Sequence, residues 1–503
     1  MNSSNRPSPG PVRPLAQPDL PHPVFLAVCL AALAAGAVVR LLPCFGDFWL
    51  DEIWSIFAVR EIDSVLGVFT RLRNSNNHHL YSLLIALIGD PAQAAWYRIP
   101  SALAGLGSIV LAIRILSREG RYEAAIGAIL TSASFMLIQF SSEARGYSLV
   151  VFFSLAAYLL FLEDRQRPRV WTALLFGVSV ILGVLSQLIY IFFYLGLAAW
   201  HLGALGRRPA AGRRLPLIPQ FARLHLLPAL GILLLYLVDL RKMEVGGGDH
   251  VPLNELLAAT VGFTAGLPVR GAPGWLYAAA AAAVLTLGLV DMARRDRPRI
   301  WLYAIAVVAA PVAILAITRP VVISPRYFVV GAALWLLLAA RLLAAMVRAG
   351  GYRRTAALLL VALFLAGNAL HAAAFLRLGR GGYRNALRYI SAHTGGEQVV
   401  CGFDHDFRTG LVVRFYADQI APKTLLYHPI GQWPREGTEW IIVHAATRPD
   451  EPRATLTDGH GNPFRLEAEF DYAGMSGFYW GVYHNLSYVS GGHGPPAPDP
   501  VPR

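Results

Sequence analysis

Residues 24 to 54 read VFLAVCLAALAAGAVVRLLPCFGDFWLDEIW. From Val24 to Leu42 the only charge is Arg40, and the run is long enough to cross ~30 Å of hydrocarbon at ~1.5 Å per helical residue. Arg40, Leu41 and Leu42 extend it without a clean small-residue cleavage site, so it reads as an uncleaved anchor rather than a removed signal. Just beyond it the composition turns acidic and aromatic, with Asp51 and Glu52 between Trp49 and Trp54.

The alternation of apolar run and polar connection continues through most of the chain. Of 503 residues, 55% are hydrophobic and 15% charged, and the mean hydropathy is +0.47. A soluble protein carries about a quarter of its residues as charges, so much of this surface faces lipid. Disorder and a purely soluble fold are excluded for most of the chain. The net charge of +13 comes from arginines clustered between apolar runs, which is a mark of membrane topology rather than of nucleic-acid binding. Cys29, Cys44 and Cys401 offer neither a disulfide framework nor a CxxC spacing.

Apolar runs fall at 24–42, 98–116, 123–140, 146–162, 170–186, 187–204, 221–239, 274–291, 300–318, 327–346 and 355–376. The predicted fold class is a polytopic α-helical membrane protein of about eleven transmembrane helices, with a small α/β domain after the last. Every even-numbered run ends in a basic cluster, for example Arg114, Arg118 and Arg121, or Arg207, Arg208, Arg213 and Arg214. Those ends are therefore expected in the cytoplasm, with the N-terminus inside and the C-terminal portion outside a bacterial inner membrane. His78 to Gly89 is apolar over too short a stretch to cross, and crossing would put the clusters on the wrong side. The expected organisation is a disordered cytoplasmic tail over 1–23, a transmembrane domain over 24–376 with a first external loop at 43–97, an extracytoplasmic α/β domain over 377–489, and a disordered Pro-rich tail over 490–503. Within the first loop, Ile53, Ile56, Phe57, Val65, Leu66 and Phe69 recur at helical period, as in an amphipathic helix lying on the membrane.

Four groups of residues carry candidate chemistry. Asp51 and Glu52 face mutual repulsion and partial desolvation, which raises a carboxyl pKa and suits a base; the alternative is a helix cap with Trp49 and Trp54 as belt residues. In NNHHLYSLL (76–84), His78 and His79 sit at the mouth of a short helix, able to hold a sugar or phosphate; the plainer reading is capping by Asn76 or Asn77. In SSEARGYSL (141–149), Glu143 and Arg145 are held close to lipid, as site residues or simply as each other's partner. Arg241, Lys242, Arg319 and Arg326, the last followed by Tyr327, break the positive-inside pattern; they suit a phosphate at the membrane surface or snorkel to headgroups. No Walker loop, GxGxxG, HExxH or GxSxG is present, so nucleotide-driven and zinc chemistry lack a site.

In order along 24–345, the segments WLDE, NHHLYSLL, YRIPSALAG, SSEARGYSLVVF and PRYF resemble the GT-C glycosyltransferases that use polyprenyl-phosphate sugars. Within that superfamily the chain looks most like the bacterial branch related to protein O-mannosyltransferases, aminoarabinose transferases and lipopolysaccharide galacturonosyltransferases. The resemblance implies a GT-C fold and inverting transfer of a sugar from a polyprenyl-phosphate donor to a hydroxyl of a glycolipid, polysaccharide or protein. It makes Asp51 the catalytic base and Glu52 its acidic neighbour. Arg326 with Tyr327, Glu143, Arg145, His78, His79, Arg241 and Lys242 would line the donor side. His79 stands where the family usually has proline, and Arg98 with Pro100 and Ser101 matches a structural helix start. No redox cofactor is implied; a divalent cation near Asp51 and Glu143 is compatible, since some such enzymes use one. A transporter or flippase of polyprenyl-linked substrates, and an O-antigen ligase-like enzyme, are the competing functions.

Overall fold

A computed structural model describes residues 19–74, 76–205, 217–244, 251–318 and 323–488. Each of the eleven apolar runs is helical there, 123–140 as two helices that break at Ser134, because an unpaired backbone amide in hydrocarbon costs on the order of several kcal/mol and a helix satisfies them internally. Among the described residues, seven helical stretches are long and apolar enough to cross a membrane by themselves, and Val170–Ser186 and Tyr190–Leu205 are shorter apolar helices. The protein is a multi-pass membrane protein. The first helix begins at His22, inside the stretch expected as a tail; Arg207, Arg208, Arg213, Arg214, Arg319 and the tail from 490 lie outside the described residues.

Contacts between helix termini sort into two ends. At one end, Arg121 donates its backbone N–H to Asp19, Arg118 pairs with Glu163, Arg165 with Asp296 and Arg223 with Asp164, while Glu119 holds Arg299 and Arg341, both at 2.8 Å. Arg348 pairs there with Glu123. At the other end, Glu52 meets Arg98 and Ala144, His78 meets Gln187, His79 meets Asp239, Asp51 meets Arg326, and Arg380 donates to Ser142. Following the chain from Asp19 to Arg380, consecutive runs alternate between these ends. His79–Ile88, ten residues long, starts and finishes at the second end, with Tyr97 reaching back to the Gly89 carbonyl at 2.5 Å, so it does not traverse the bundle.

The C-terminal part carries one six-stranded mixed sheet. Its strands are β1 (Gln398–Phe403), β2 (Thr424–His428), β3 (Trp440–Ala445), β4 (Thr455–Thr457), β5 (Pro463–Phe470) and β6 (Tyr479–Asn485), in the order β2-β1-β3-β6-β5-β4. β1 runs parallel to both β2 and β3, placing Cys401 opposite Tyr427 and Trp440, whereas β3–β6 and β6–β5 are antiparallel. Helix Tyr383–His393 lays Tyr383, Ala386, Leu387 and Ile390 on the sheet, an apolar stripe at spacings of three and four.

This sheet is not a detached appendage. Its residues Phe403 and Trp480, with Val412 of the adjoining helix Arg408–Phe415, belong to one apolar cluster with Phe48, Ile53, Ile56 and Tyr81 of the first loop. Helix Leu50–Arg60 therefore buries Ile53 and Ile56 against protein rather than lipid, contrary to the expected membrane-surface helix. Trp49 and Trp54 are not belt residues either: Trp49 is buried, and Trp54 meets Phe407 edge-on at 5.2 Å. Polar clamps reinforce the seam, with Arg384 paired to Asp47 and the Phe48 N–H donating to the Tyr416 hydroxyl at 2.5 Å. Cys29, Cys44 and Cys401 are free and buried.

Candidate active site

Helix Leu50–Arg60 points its two leading carboxylates in different directions. Glu52 turns inward, fully buried, and takes a two-pronged grip from Arg98, with Nε to Oε1 at 2.8 Å and Nη2 to Oε2 at 2.6 Å. It also accepts the Ala144 N–H at 2.7 Å and the Trp49 N–H at 3.2 Å. Arg98 spends its remaining donors on the carbonyls of Pro43, Cys44, Gly46 and Asp47, so this pair knots the first loop onto the second. Burial pushes the Glu52 carboxyl up, but Arg98 and then Arg380 outweigh it and leave it below its ordinary value.

Asp51 keeps a partly exposed side chain, and one oxygen, Oδ2, lies 2.7 Å from Arg145 Nη1 and 2.6 Å from Arg326 Nη1. Burial raises this carboxyl too; Arg145 and Arg326 together reverse the effect and hold it below the usual aspartate range. The mutual repulsion expected between Asp51 and Glu52 is thus overridden at both residues, because each faces its own guanidinium. Arg326 also donates from Nε to Ser324 Oγ at 3.0 Å and lies over the Trp49 ring, 5.3 Å from its centre. Tyr327, in the same turn Pro325–Phe328, packs half-buried against the bundle core.

Arg145 is buried and does not pair with Glu143. Its Nη2 donates to Asn76 Oδ1 at 2.6 Å and lies 3.3 Å from His78 Nε2, while Nε and Nη1 lack an aligned acceptor. Glu143 instead faces Gln139 at 3.3 Å and Arg380 at 3.7 Å. His78 accepts the Gly146 N–H at Nδ1, 2.8 Å away, and its Nε2 lies beside Arg145 and 3.1 Å from the Gln187 side-chain nitrogen. Burial first, then Arg145 and Arg326, hold the ring neutral, well below its ordinary pKa. Gly146 lacks a side chain for a visible reason: a Cβ there would lie 1.8 Å from the Ser186 carbonyl oxygen.

Capping is not what Asn76 and Asn77 do, since neither side chain caps helix His79–Ile88. Asn76 donates to the Asp51 carbonyl and to Ser55 Oγ, each at 3.0 Å, and Asn77 ties down the carbonyls of Val68 and Leu72. His79 is separated from His78: its Nε2 is 2.5 Å from Asp239 Oδ2, both side chains being buried, and its ring stacks on Phe69. Arg241 and Lys242 follow Asp239 in a single exposed turn, Leu240–Lys242, with no ion pair among the described residues.

The structure thus brings together Asp51, His78, Arg145 and Arg326, and sets Glu52, Glu143 and His79 in separate pairings behind them. Asn76 as a tether, Gln187, Ser324, Asp239 and Arg380 join the picture only in three dimensions. A divalent cation between Asp51 and Glu143 does not fit the donors: one carboxylate is held by two arginines and the other faces Gln139 and Arg380. Among the described residues, no group of three His, Cys, Asp or Glu side chains converges on a metal-sized point.

No protein-family model and no curated protein matches the chain. Among solved structures, it is similar to ArnT from Cupriavidus metallidurans in the apo state, at 14% identity over 84% of this chain and 92% of that one, with a TM-score of 0.49. The same protein bound to undecaprenyl phosphate is similar at 14% identity over 93% and 99%, with a TM-score of 0.49. The Archaeoglobus fulgidus oligosaccharyltransferase tethered with an acceptor peptide is similar at 12% identity over 80% of this chain and 64% of that one, with a TM-score of 0.47.

Proposed function

We propose that the protein is a membrane glycosyltransferase that moves a sugar from a polyprenyl-phosphate donor to an acceptor hydroxyl, with inversion. The observation that carries this reading is the charge balance at Asp51. Two guanidiniums, Arg145 and Arg326, share one carboxylate oxygen, leaving a surplus of one positive charge at the rim of a membrane bundle. A sugar phosphodiester carries one negative charge, and the unaligned Nε and Nη1 donors of buried Arg145 are what such an anion would satisfy.

In this mechanism the donor phosphate draws Arg326 and Arg145 away from Asp51. The freed carboxylate takes the proton of the acceptor hydroxyl as its oxygen attacks the anomeric carbon; the bond from that carbon to the phosphate oxygen breaks, and the second charge that appears on the departing phosphate is met by the arginines. His78, held neutral and anchored by the Gly146 N–H at Nδ1, keeps Arg145 in place without adding charge. Glu52 positions the helix through Arg98 and takes no part in proton transfer. The test is a transfer assay with purified protein and a monophosphate-linked donor, using extracts of the native envelope as acceptor. Transfer lost in Asp51→Asn supports the reading; transfer only from a diphosphate-linked donor, or movement of intact donor across a bilayer, overturns it.

A further inference from the structure

A second ordered polar group lies in the sheet domain. The chain leaves β1 toward β2 on one flank, while β3 lies on the other, so the C-terminal ends of β1 and β3 border the kind of crevice in which parallel sheets bind ligands. Asp404 follows β1, and His444 stands near the end of β3. The two Asp404 oxygens lie 2.9 and 2.8 Å from His444 Nδ1; Oδ2 also accepts the His444 backbone N–H at 2.8 Å, and Thr409 Oγ1 donates to Oδ1 at 3.1 Å. This fixes the ring with Nδ1–H toward Asp404 and leaves Nε2 with no partner among the described residues.

The pair faces the Asp51 side of the molecule. Rings connect the two places: Arg326 lies over Trp49, Trp49 is 6.0 Å from Phe478, and Phe478 meets His444 edge-on at 5.0 Å. Phe407, 43% exposed and three residues after Asp404, packs edge-on against Trp54 of the first-loop helix. An imidazole nitrogen oriented by a carboxylate hydrogen-bonds a hydroxyl, and an exposed aromatic ring offers an apolar face to sugar C–H groups. We propose that Asp404, Phe407 and His444 form a saccharide-binding subsite for the acceptor side of the reaction. The role in transfer rests on the glycosyltransferase reading; the binding of a saccharide does not.

The test uses the full-length protein in nanodiscs, with maltotriose as probe in saturation-transfer NMR and undecaprenyl phosphate in a separate tryptophan-quenching titration. The wild type is expected to bind maltotriose in the millimolar range. His444→Ala, Asp404→Asn and Phe407→Ala should each weaken that binding at least tenfold while leaving undecaprenyl phosphate affinity unchanged. Phe407 is exposed, so its variant tests the subsite even where Asp404→Asn disturbs folding. No saturation transfer in the wild type, or equal transfer in all three variants, overturns the proposal. Maltotriose binding through these residues without undecaprenyl phosphate binding would keep the subsite and remove the glycosyltransferase reading.

Discussion

With Arg145 and Arg326 both against one oxygen of Asp51, the carboxyl stays ionised below the ordinary aspartate value of ~3.9 and is a weak base. Drawing the arginines onto a phosphate returns the pKa upward and strengthens the base at the moment it is needed. The sign is testable, because the acid limb of kcat/KM reports the free enzyme and that of kcat the complex. As pH falls, kcat/KM is expected to hold until below about 4, with the kcat limb at higher pH; a kcat limb at or below the kcat/KM limb removes Asp51 from the mechanism. Asp51→Asn should abolish transfer while the protein still binds undecaprenyl phosphate. Arg326→Ala should weaken donor binding tenfold or more, since one charge-assisted contact is worth roughly 1.5 to 3 kcal/mol. Arg326→Lys should recover part of it, lacking the two-pronged fork. Donor affinity unchanged in Arg326→Ala would move the phosphate contact to Arg145, Arg241 or Lys242.

Among elements, the short connection 141–146 reaches Glu52, Asp51 and His78 at the site end. Ala144 feeds Glu52, Arg145 feeds Asp51, and Gly146 feeds His78 while touching the end of helix Val170–Ser186. Gly146→Ala is therefore expected to lower transfer at least tenfold with the chain still folded, because the methyl must push the connection off Ser186 by more than a side chain can absorb; native turnover in that variant would show that the connection tolerates displacement. Glu52→Gln leaves buried Arg98 without its charge partner and should destabilise the protein by about 3 kcal/mol or more, read by thermal unfolding. The helices are legible in the sequence because hydrocarbon demands long apolar runs, and β1, β3 and β6 because buried strands read as short ones. Helix Leu253–Ala265 is not, since its thirteen residues fall short of a span and sit between Pro252 and Gly266, signals that read as a loop. Gln187 and Ser324 are equally silent, as their value comes from partners 109 residues away in one case and from the orientation of Arg326 in the other.

For the whole molecule, charge is arranged by end. The arginine clusters that suggest topology are not bare: Arg118, Arg165, Arg299, Arg341 and Arg348 all meet carboxylates, so their positions are fixed by ion pairs as well as by the membrane. Asp51, the first-loop helix and the sheet domain share the opposite end through one apolar core. This alternation leaves a single orientation question for the entire protein, and the positive-inside preference predicts the arginine end in the cytoplasm. Reporter cysteines provide the measurement, since Cys29, Cys44 and Cys401 are buried and contribute little background. A membrane-impermeant maleimide applied to intact cells should label a cysteine placed at Asp450 and miss one placed at Arg297. The reverse pattern would turn the whole molecule over and put Asp51 on the cytoplasmic face. Labelling at both positions would break the alternation itself, and with it the count of passes between Asp19 and Arg380.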